Sequence, residues 1–594
     1  MPVRSLLLVG LLLASLTACS STPGPEDVLK DFLGAIASGD TTRAAMLTNA
    51  PDTAKAVLDQ ARGALQPQSL QTSVQEVHNP AGSTTADAKF QYDWNLGHGR
   101  QWQYQASAQL FSEQDNWKVR WLPTVLHPKL GAQQVLAVRV DTPPLAAVLD
   151  RDGVPILEPG TVVGVLMDPK LPDPGPVAGK LAAALGKYEP SVTQKSIVDG
   201  LKAQNPTAAY AVVSLRAGDY QRVKPVIYDL PGVRFSKQER LLPIQRDFGR
   251  QVLPAVRSMV EDQIAGHAGW RVVTVGSMGI DVAELHAKPA EPAPAIASTL
   301  SGKVQAAGEK AIDAVKTPAA LVAIQPSTGE LLAVAQNDKA DEQGPLALTG
   351  RFPPGSTFKI VTAAAAMSAG KVGADSTVDC PGTTAFNGRV VPNEGKFALG
   401  SVPLTKAFAR SCNTTFARLA ADLPAAALTE SARDLGLGAD FALPGLTTVT
   451  GSVPATDNVV QRAENGFGQG TVVASPFGMA VVAASVQSGR TPTPTLLRGV
   501  ATGTQNLGKQ LRPDVLDALR GMMRAVVTEG TATGLRDLPD VRGKTGTAQF
   551  GDGTHSHGWF VGYAGDLAFA VLLVDAGSSK PAVEAAHRFL TGLG

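Results

Sequence analysis

The sequence predicts an α+β protein of several domains, ending in one antiparallel sheet with helices packed on it. Three observations predict this. The chain has 594 residues, room for three or four domains at roughly 150 residues each. Hydrophobic residues make up 44% and charged residues 18%, the balance of packed cores and not of a disordered chain. The apolar period also changes along the chain, from 3.6 in the first segments to 2 in those that follow, and strand-like runs bracket a helix-rich stretch near the C-terminus. The charge balance excludes one class of function. With Lys+Arg 53 against Asp+Glu 52 the net charge is +1, so bulk attraction to a polyanion is ruled out and no nucleic-acid partner is expected. Three cysteines make neither a disulfide scaffold nor a Cys-only zinc site.

The first element is an export signal over 1–18. Arg4 is a thin positive start, and Leu6 to Leu13 form an apolar core shorter than the ~20 residues a spanning helix needs. Leu16-Thr17-Ala18-Cys19 then sets small residues before a cysteine, which resembles a bacterial lipobox. In that motif the cysteine is lipidated and becomes the new N-terminus. Ser20 to Gly24 suits a tether. No later apolar run reaches about 18 residues, so acyl chains on Cys19 are expected to hold the protein at the outer face of the cytoplasmic membrane.

A first folded domain is expected over 25–130. Val28, Leu29, Phe32, Leu33 and Ile36 share one helical face, and a second, Ala-rich helix is expected from Thr42 to Leu65. Phe90, Tyr92 and Trp94 then alternate with polar residues, Gly97-His98-Gly99 turns the chain, and Trp102, Tyr104, Ala106 and Ala108 alternate on the return. Trp117 to Trp121 is a further strand. At this spacing the aromatic row reads as core and not as a ligand site. A second region, 135–297, mixes short strands and helices, and ends in Lys288 to Ala295, where three prolines mark an extended linker. The last domain, 315–594, opens with a hairpin of Ala319 to Gln325 and Glu330 to Gln336. It closes with strands at Val541 to Phe550, Gly558 to Ala564 and Ala568 to Asp575 and a helix from about Pro581.

Inside this last domain lies the chemistry. Pro353-Pro354-Gly355 blocks helix formation, and an apolar helix follows from Ser356 to a C-cap at Gly370. Ser356 and Lys359, three residues apart, share a face of its first turn. A serine needs a base beside it to become a nucleophile. A lysine titrates near ~10.4, so acting as that base requires a drop of about 3 units, which burial and a second cation can supply. Two further segments complete the set: Ser411-Cys412-Asn413 in a short loop, and Lys544-Thr545-Gly546-Thr547 in a late strand. Ser-x-x-Lys, Ser-x-Asn and Lys-Thr-Gly in this order are the trio of penicillin-binding proteins and related β-lactamases.

The resemblance runs through 315–594, which looks like a penicillin-binding transpeptidase domain of the serine β-lactamase-like fold. Gly468-Gln469-Gly470 followed by Ser475-Pro476, and Trp559-Phe560-Val561-Gly562-Tyr563, match it too. Residues 25–130 look like the cone-shaped, nuclear-transport-factor-type (NTF2-like) domain that precedes the rest in some of these proteins. Residues 135–297 resemble, less closely, the dimerisation domain of class B penicillin-binding proteins. Leu145-Ala146 stand where that family has Arg-Gly, and Thr299-Leu300-Ser301 where it often has Thr-Leu-Asp. With the lipobox, the whole chain looks like a penicillin-binding lipoprotein.

The resemblance implies a serine acyl-enzyme. Ser356 attacks the carbonyl between two D-alanines of a peptidoglycan stem peptide, Lys359 takes its proton, and Ser411 passes a proton to the leaving nitrogen. Asn413 holds the peptide amide, while Lys544, Thr545 and Thr547 bind the terminal carboxylate. Gly546 lets substrate lie against the strand. The backbone N–H groups of Ser356 and Thr547 form the oxyanion hole. β-Lactams acylate Ser356, and the cell-wall synthesis machinery is an implied partner. No cofactor is expected. No metal is expected either: His555, His557 and Asp552 lie together, but without a third His or Cys they read as a solvated hairpin loop. A disulfide between Cys380 and Cys412 is left open, because geometry decides it. A β-lactamase is disfavoured by the two preceding domains and the lack of a Glu-x-x-Leu-Asn segment. A D,D-carboxypeptidase, or a lipoprotein that binds β-lactams without turnover, remains as an alternative.

Overall fold

The computed structural model describes residues 23–114, 116–205 and 207–594. The expected signal over 1–18 and Cys19 lie outside them. Among the described residues no helix is long and apolar enough to cross a membrane. The chain forms two compact units, one running to Pro143 and including Gly266–Glu291, the other Pro144–Ala265 with Pro292–Gly594. The region expected as one domain over 135–297 is therefore divided between them. Its strand Gly269–Val275 pairs with Val135–Asp141 on one side and Asp281–Lys288 on the other, in a three-stranded sheet of the first unit.

The first unit begins with the helix Pro25–Ser38, which buries Val28, Leu29, Phe32, Leu33 and Ile36 as its period requires. The single helix expected from Thr42 to Leu65 is two, Thr41–Met46 and Pro51–Leu65. Pro51 is the cause: its ring clashes with a preceding helical turn, but it fits the first turn of a new helix. A four-stranded antiparallel sheet follows in chain order: Ser69–His78, Thr85–Asn95, Gln101–Glu113 and Asn116–Val119. Tyr92 lies opposite Tyr104 and Trp94 opposite Trp102. These cross-strand aromatics are buried or nearly so, as core.

The second unit holds the larger core, built on a five-stranded antiparallel sheet. Its order is Leu331–Gln336, Ala319–Ile324, Leu567–Leu573, His555–Ala564, Arg542–Phe550. Both ends of the domain thus supply strands to one sheet, and Arg542–Phe550 is left as an edge. Every residue of Ala319–Ile324 is buried, so helices cover both faces there. One of them, Pro476–Ser488, is apolar all round and buried over most of its length. A second sheet in this unit is built around the long strand Pro155–Met167. The segment after Leu145-Ala146 docks through Asp150, whose carboxylate accepts the Gly302 N–H at 3.0 Å, and through an Arg151–Glu330 ion pair at 3.1 Å. That docking survives without the family's Arg-Gly.

Candidate active site

The nucleophile's loop is forced by its sequence. Two prolines stop regular pairing, and Gly355 sits at φ 52°, a backbone region that favours glycine. A side chain on Gly355 would come within 2.7 Å of the Thr547 carbonyl oxygen. Ser356 lies in a single 3-10 turn, Gly355–Phe358, and the α-helix proper starts at Lys359 and runs to Ser368. The expected helix start at Ser356 is thus a tighter turn. Its effect is to set Lys359 Nζ 3.0 Å from Ser356 Oγ.

Lys359 is wholly buried. Its Nζ lies 2.7 Å from the Ser411 carbonyl oxygen, 2.7 Å from Asn413 Oδ1 and 3.2 Å from Ser411 Oγ. Burial holds this amine well below the usual lysine range, the Lys544 cation lowers it further, and the Glu394 carboxylate opposes both. Lys544 is also fully buried, and burial brings it down to about 7, with Glu394 again opposing. It donates to Ser411 Oγ at 2.9 Å and to the Thr545 carbonyl at 3.0 Å. The two amines therefore flank one hydroxyl, Ser411. This departs from the expectation that Lys544 grips the substrate carboxylate directly, because a buried amine already engaged behind Ser411 is not presented to the cleft.

Ser411 itself stands at φ 63°, unusual for a residue with a side chain, between the helices Leu404–Ala409 and Asn413–Ala421. What fixes it is its neighbour: Cys412 forms a disulfide with Cys380, at the end of the strand Thr377–Cys380. Asn393 ties the same loop, accepting the Thr414 N–H at 3.0 Å and donating to the Pro381 and Phe397 carbonyls.

A cleft of about 350 Å³ brings together Ser356, Ser411, Asn413, Thr545 and Thr547. Thr545 shares a 2.5 Å hydrogen bond with Thr531, and Thr547 Oγ1 accepts the Ser579 N–H at 3.2 Å. Gly546 does not face the cleft. A Cβ there would lie 2.7 Å from the Pro354 carbonyl and 2.9 Å from Thr357, so its bareness lets the strand pack against the nucleophile's loop. The expectation that it makes room for substrate is corrected accordingly. His555 and His557 also differ from the expected loop. Both belong to the strand His555–Ala564; His557 is buried and accepts the Asp575 N–H, and His555 pairs with the Asp575 carboxylate at 2.9 Å.

Sequence reasoning missed Glu394 and Lys396, which line the cleft from a turn, and Phe467, Thr531, Gln549 and Ser579. It quoted Gln469 within a motif without giving it a place. Signals existed for three of them: Phe467 and Gln469 flank Gly468, and Gln549 lies two residues beyond Thr547 on the same strand; Glu394, Lys396, Thr531 and Ser579 come from separate segments that no spacing connects.

Comparison with known proteins matches this arrangement. Residues 319–591 match the penicillin binding protein transpeptidase domain, and residues 24–134 match the NTF2-like N-terminal transpeptidase domain. The chain is similar to the peptidoglycan D,D-transpeptidase PbpA of Mycobacterium tuberculosis (strain CDC 1551 / Oshkosh), at 29% identity over 318 residues, 45% of this chain and 64% of that protein. The match thus spans less than two thirds of that relative's length. Penicillin-binding protein 3 of Bacillus subtilis (strain 168) is 26% identical over 552 residues, 80% of each chain. A chain in the solved complex between penicillin-binding protein PBP2 and MreC from Helicobacter pylori shares the fold, with a TM-score of 0.56 at 17% identity, covering 77% of this chain and 99% of that one. Residues 319–591 therefore carry a penicillin binding protein transpeptidase domain, preceded by an NTF2-like N-terminal transpeptidase domain, and the chain is similar over 45% and 80% of its length to proteins named as a peptidoglycan D,D-transpeptidase and a penicillin-binding protein.

Proposed function

We propose that this protein is a peptidoglycan D,D-transpeptidase, cross-linking stem peptides through an acyl-enzyme on Ser356 and acylated there by β-lactams. The observation that carries the reading is the environment of Lys359. A neutral amine has two hydrogens and one lone pair. Two oxygens that only accept, the Ser411 carbonyl and Asn413 Oδ1, stand at 2.7 Å and take the two hydrogens. The lone pair is left for a hydroxyl, and Ser356 Oγ is at 3.0 Å. The depressed pKa of the buried amine fits that form.

The steps follow. Ser356 Oγ bonds to the carbonyl carbon between two D-alanines as its proton moves to Lys359. The tetrahedral oxyanion is met by the Ser356 and Thr547 main-chain N–H groups. As the C–N bond breaks, Ser411 gives its proton to the departing D-alanine nitrogen and is reprotonated from the Lys359 side, with Lys544 holding its Oγ. Asn413 orients the donor amide. Thr545 and Thr547 meet the donor carboxylate, with Lys544 supplying positive field from behind. An acceptor amine of a second stem peptide then attacks the ester, and Ser356 regains its proton.

We assign the parts outside the catalytic unit on sequence: residues 25–130 as an NTF2-like spacer, 135–297 as the dimerisation-type region, and 315–594 as the transpeptidase. Acyl chains on Cys19 would hold the protein at the outer face of the membrane, beside cell-wall synthesis machinery. Ser356→Ala is expected to abolish labelling by a fluorescent penicillin while the thermal transition stays in place; full labelling of the folded variant would overturn the mechanism. Incubation of the wild type with polymerised peptidoglycan separates a transpeptidase, which yields cross-linked dimer, from a carboxypeptidase, which releases D-alanine alone.

A further inference from the structure

Among the described residues, the edge strand Arg542–Phe550 has a strand partner on one side only. Its pairing with His555–Ala564 is continuous, placing Thr545 opposite Phe560, Thr547 opposite Gly558 and Gln549 opposite Ser556. In an antiparallel pair, alternate residues turn their N–H and C=O away from the partner. Gln549 is one of these. With the Gln469 amide oriented to match donors with acceptors, its oxygen accepts the Gln549 N–H at 2.8 Å and its nitrogen donates to the Gln549 carbonyl at 3.2 Å. By the same alternation Thr547 and Thr545 also face the open side, and all three line the cleft with Ser356. A side chain thus makes, at Gln549, the pair of hydrogen bonds that a peptide strand would make.

Gln469 is held for this. Gly468, at φ 78°, accepts the Gly355 N–H at 2.9 Å through its carbonyl, and a Cβ on Gly468 would fall 1.9 Å from the Gly355 oxygen. The Gln469 N–H donates to the Glu464 carbonyl at 3.2 Å, and Gly470 follows at φ 65°. The loop is built directly against the nucleophile's loop, so the distance between Ser356 and the Gln469 amide is set by packed backbone.

We propose that Gln469 is the stop that ends the donor subsite, a specificity-determining residue for the donor peptide. The inference rests on the D,D-transpeptidase reading. A donor whose acylating residue lies opposite Thr547 and runs antiparallel to the strand places the residue two positions nearer its N-terminus opposite Gln549. The Gln469 amide already fills that position. The donor therefore pairs with the strand only around the scissile bond, and stem residues further back leave the sheet.

The test uses two synthetic donors with the same D-Ala-D-Ala end, an N-acetyl dipeptide, whose acetyl group stops short of Gln549, and a pentapeptide that reaches it. The readout is the acylation kcat/KM of the pentapeptide divided by that of the dipeptide, on the same full-length preparation. A ratio divides out any misfolded fraction, which penicillin titration of Ser356 counts independently. Wild type is expected to give a ratio near one. Gln469→Ala, and Gln469→Asn with its amide one methylene short, are expected to raise it by roughly fivefold or more, the worth of one or two freed backbone hydrogen bonds. A ratio that stays the same or falls in both variants overturns the stop. If wild type binds penicillin but is acylated by neither peptide, the donor reading fails and takes the stop with it.

Discussion

Burial depresses two amines, Lys359 and Lys544, and the Glu394 carboxylate opposes it without touching either through a hydrogen bond. The sign of its removal follows. In Glu394→Gln the amines lose a stabilising negative charge, Lys359 gives up its proton more readily, and the acid limb of the acylation profile moves to lower pH. Lys544→Ala acts in the opposite sense: a cation that disfavours protonated Lys359 is gone, and the acid limb moves up. Lys359→Ala removes the base itself and is expected to slow acylation by about 10²–10⁴ at saturating penicillin. Acylation rate against pH for the wild type and these three variants checks all of it, and a Lys359→Ala enzyme acylating near the wild-type rate would transfer the base role elsewhere. Ser356 and Lys359 were legible as neighbours because one helical turn brings residues three apart onto one face; Ser411, Asn413 and Lys544 joined them only through the motif resemblance, since no spacing connects segments so far apart in the chain. Glu394 was not legible, since it reaches the cleft from a turn whose position depends on Asn393 and on packing across the chain.

Among the elements, the strand Arg542–Phe550 and the Gly355–Phe358 turn are fitted to each other with no spare volume. Gly546→Ala would put a methyl 2.7 Å from the Pro354 carbonyl, against backbone that cannot rotate away. Separating strand and turn is expected to cost about 1–3 kcal/mol of stability and to cut acylation by more than that alone explains, because the proposed oxyanion donors, the Ser356 and Thr547 N–H groups, sit on both pieces. Denaturant unfolding alongside penicillin acylation measures the two effects; an Ala variant of wild-type stability and rate would show that the contact yields. The strands themselves were readable, from Ala319 to the closing run at Leu567, because apolar runs between turn signals have few alternatives. Which side Gly546 faces was not readable, since pleat direction depends on what the sheet packs against. The break at Pro51 is a different case: the proline was in plain view, and the alanines around it hid its effect.

At the scale of the whole molecule, sequence composition separated the regions but not the way strands are shared between them. Gly269–Val275 and Asp281–Lys288 return to pair near Val135–Asp141 from more than a hundred residues away, a long-range pairing that no local pattern announces. The N-terminal assignment is tested directly. Intact-mass analysis of native protein is expected to find Cys19 as the acylated first residue, and Cys19→Ala to leave the protein uncleaved or released from membranes; an unmodified Cys19 would remove the anchor. The Cys380–Cys412 bridge carries a different consequence. It closes a 32-residue separation, which by chain entropy contributes roughly 3–4 kcal/mol, and one of its sulfurs lies between Ser411 and Asn413. Protein made in a reducing cytosol is therefore expected to label with penicillin more slowly than exported protein, and to recover when its two thiols are oxidised. On the proposed export and site assignments, a chain still inside the cell holds every side chain of the proposed site and lacks the cross-link between Cys380 and Cys412, so oxidation on export would double as the step that switches the enzyme on.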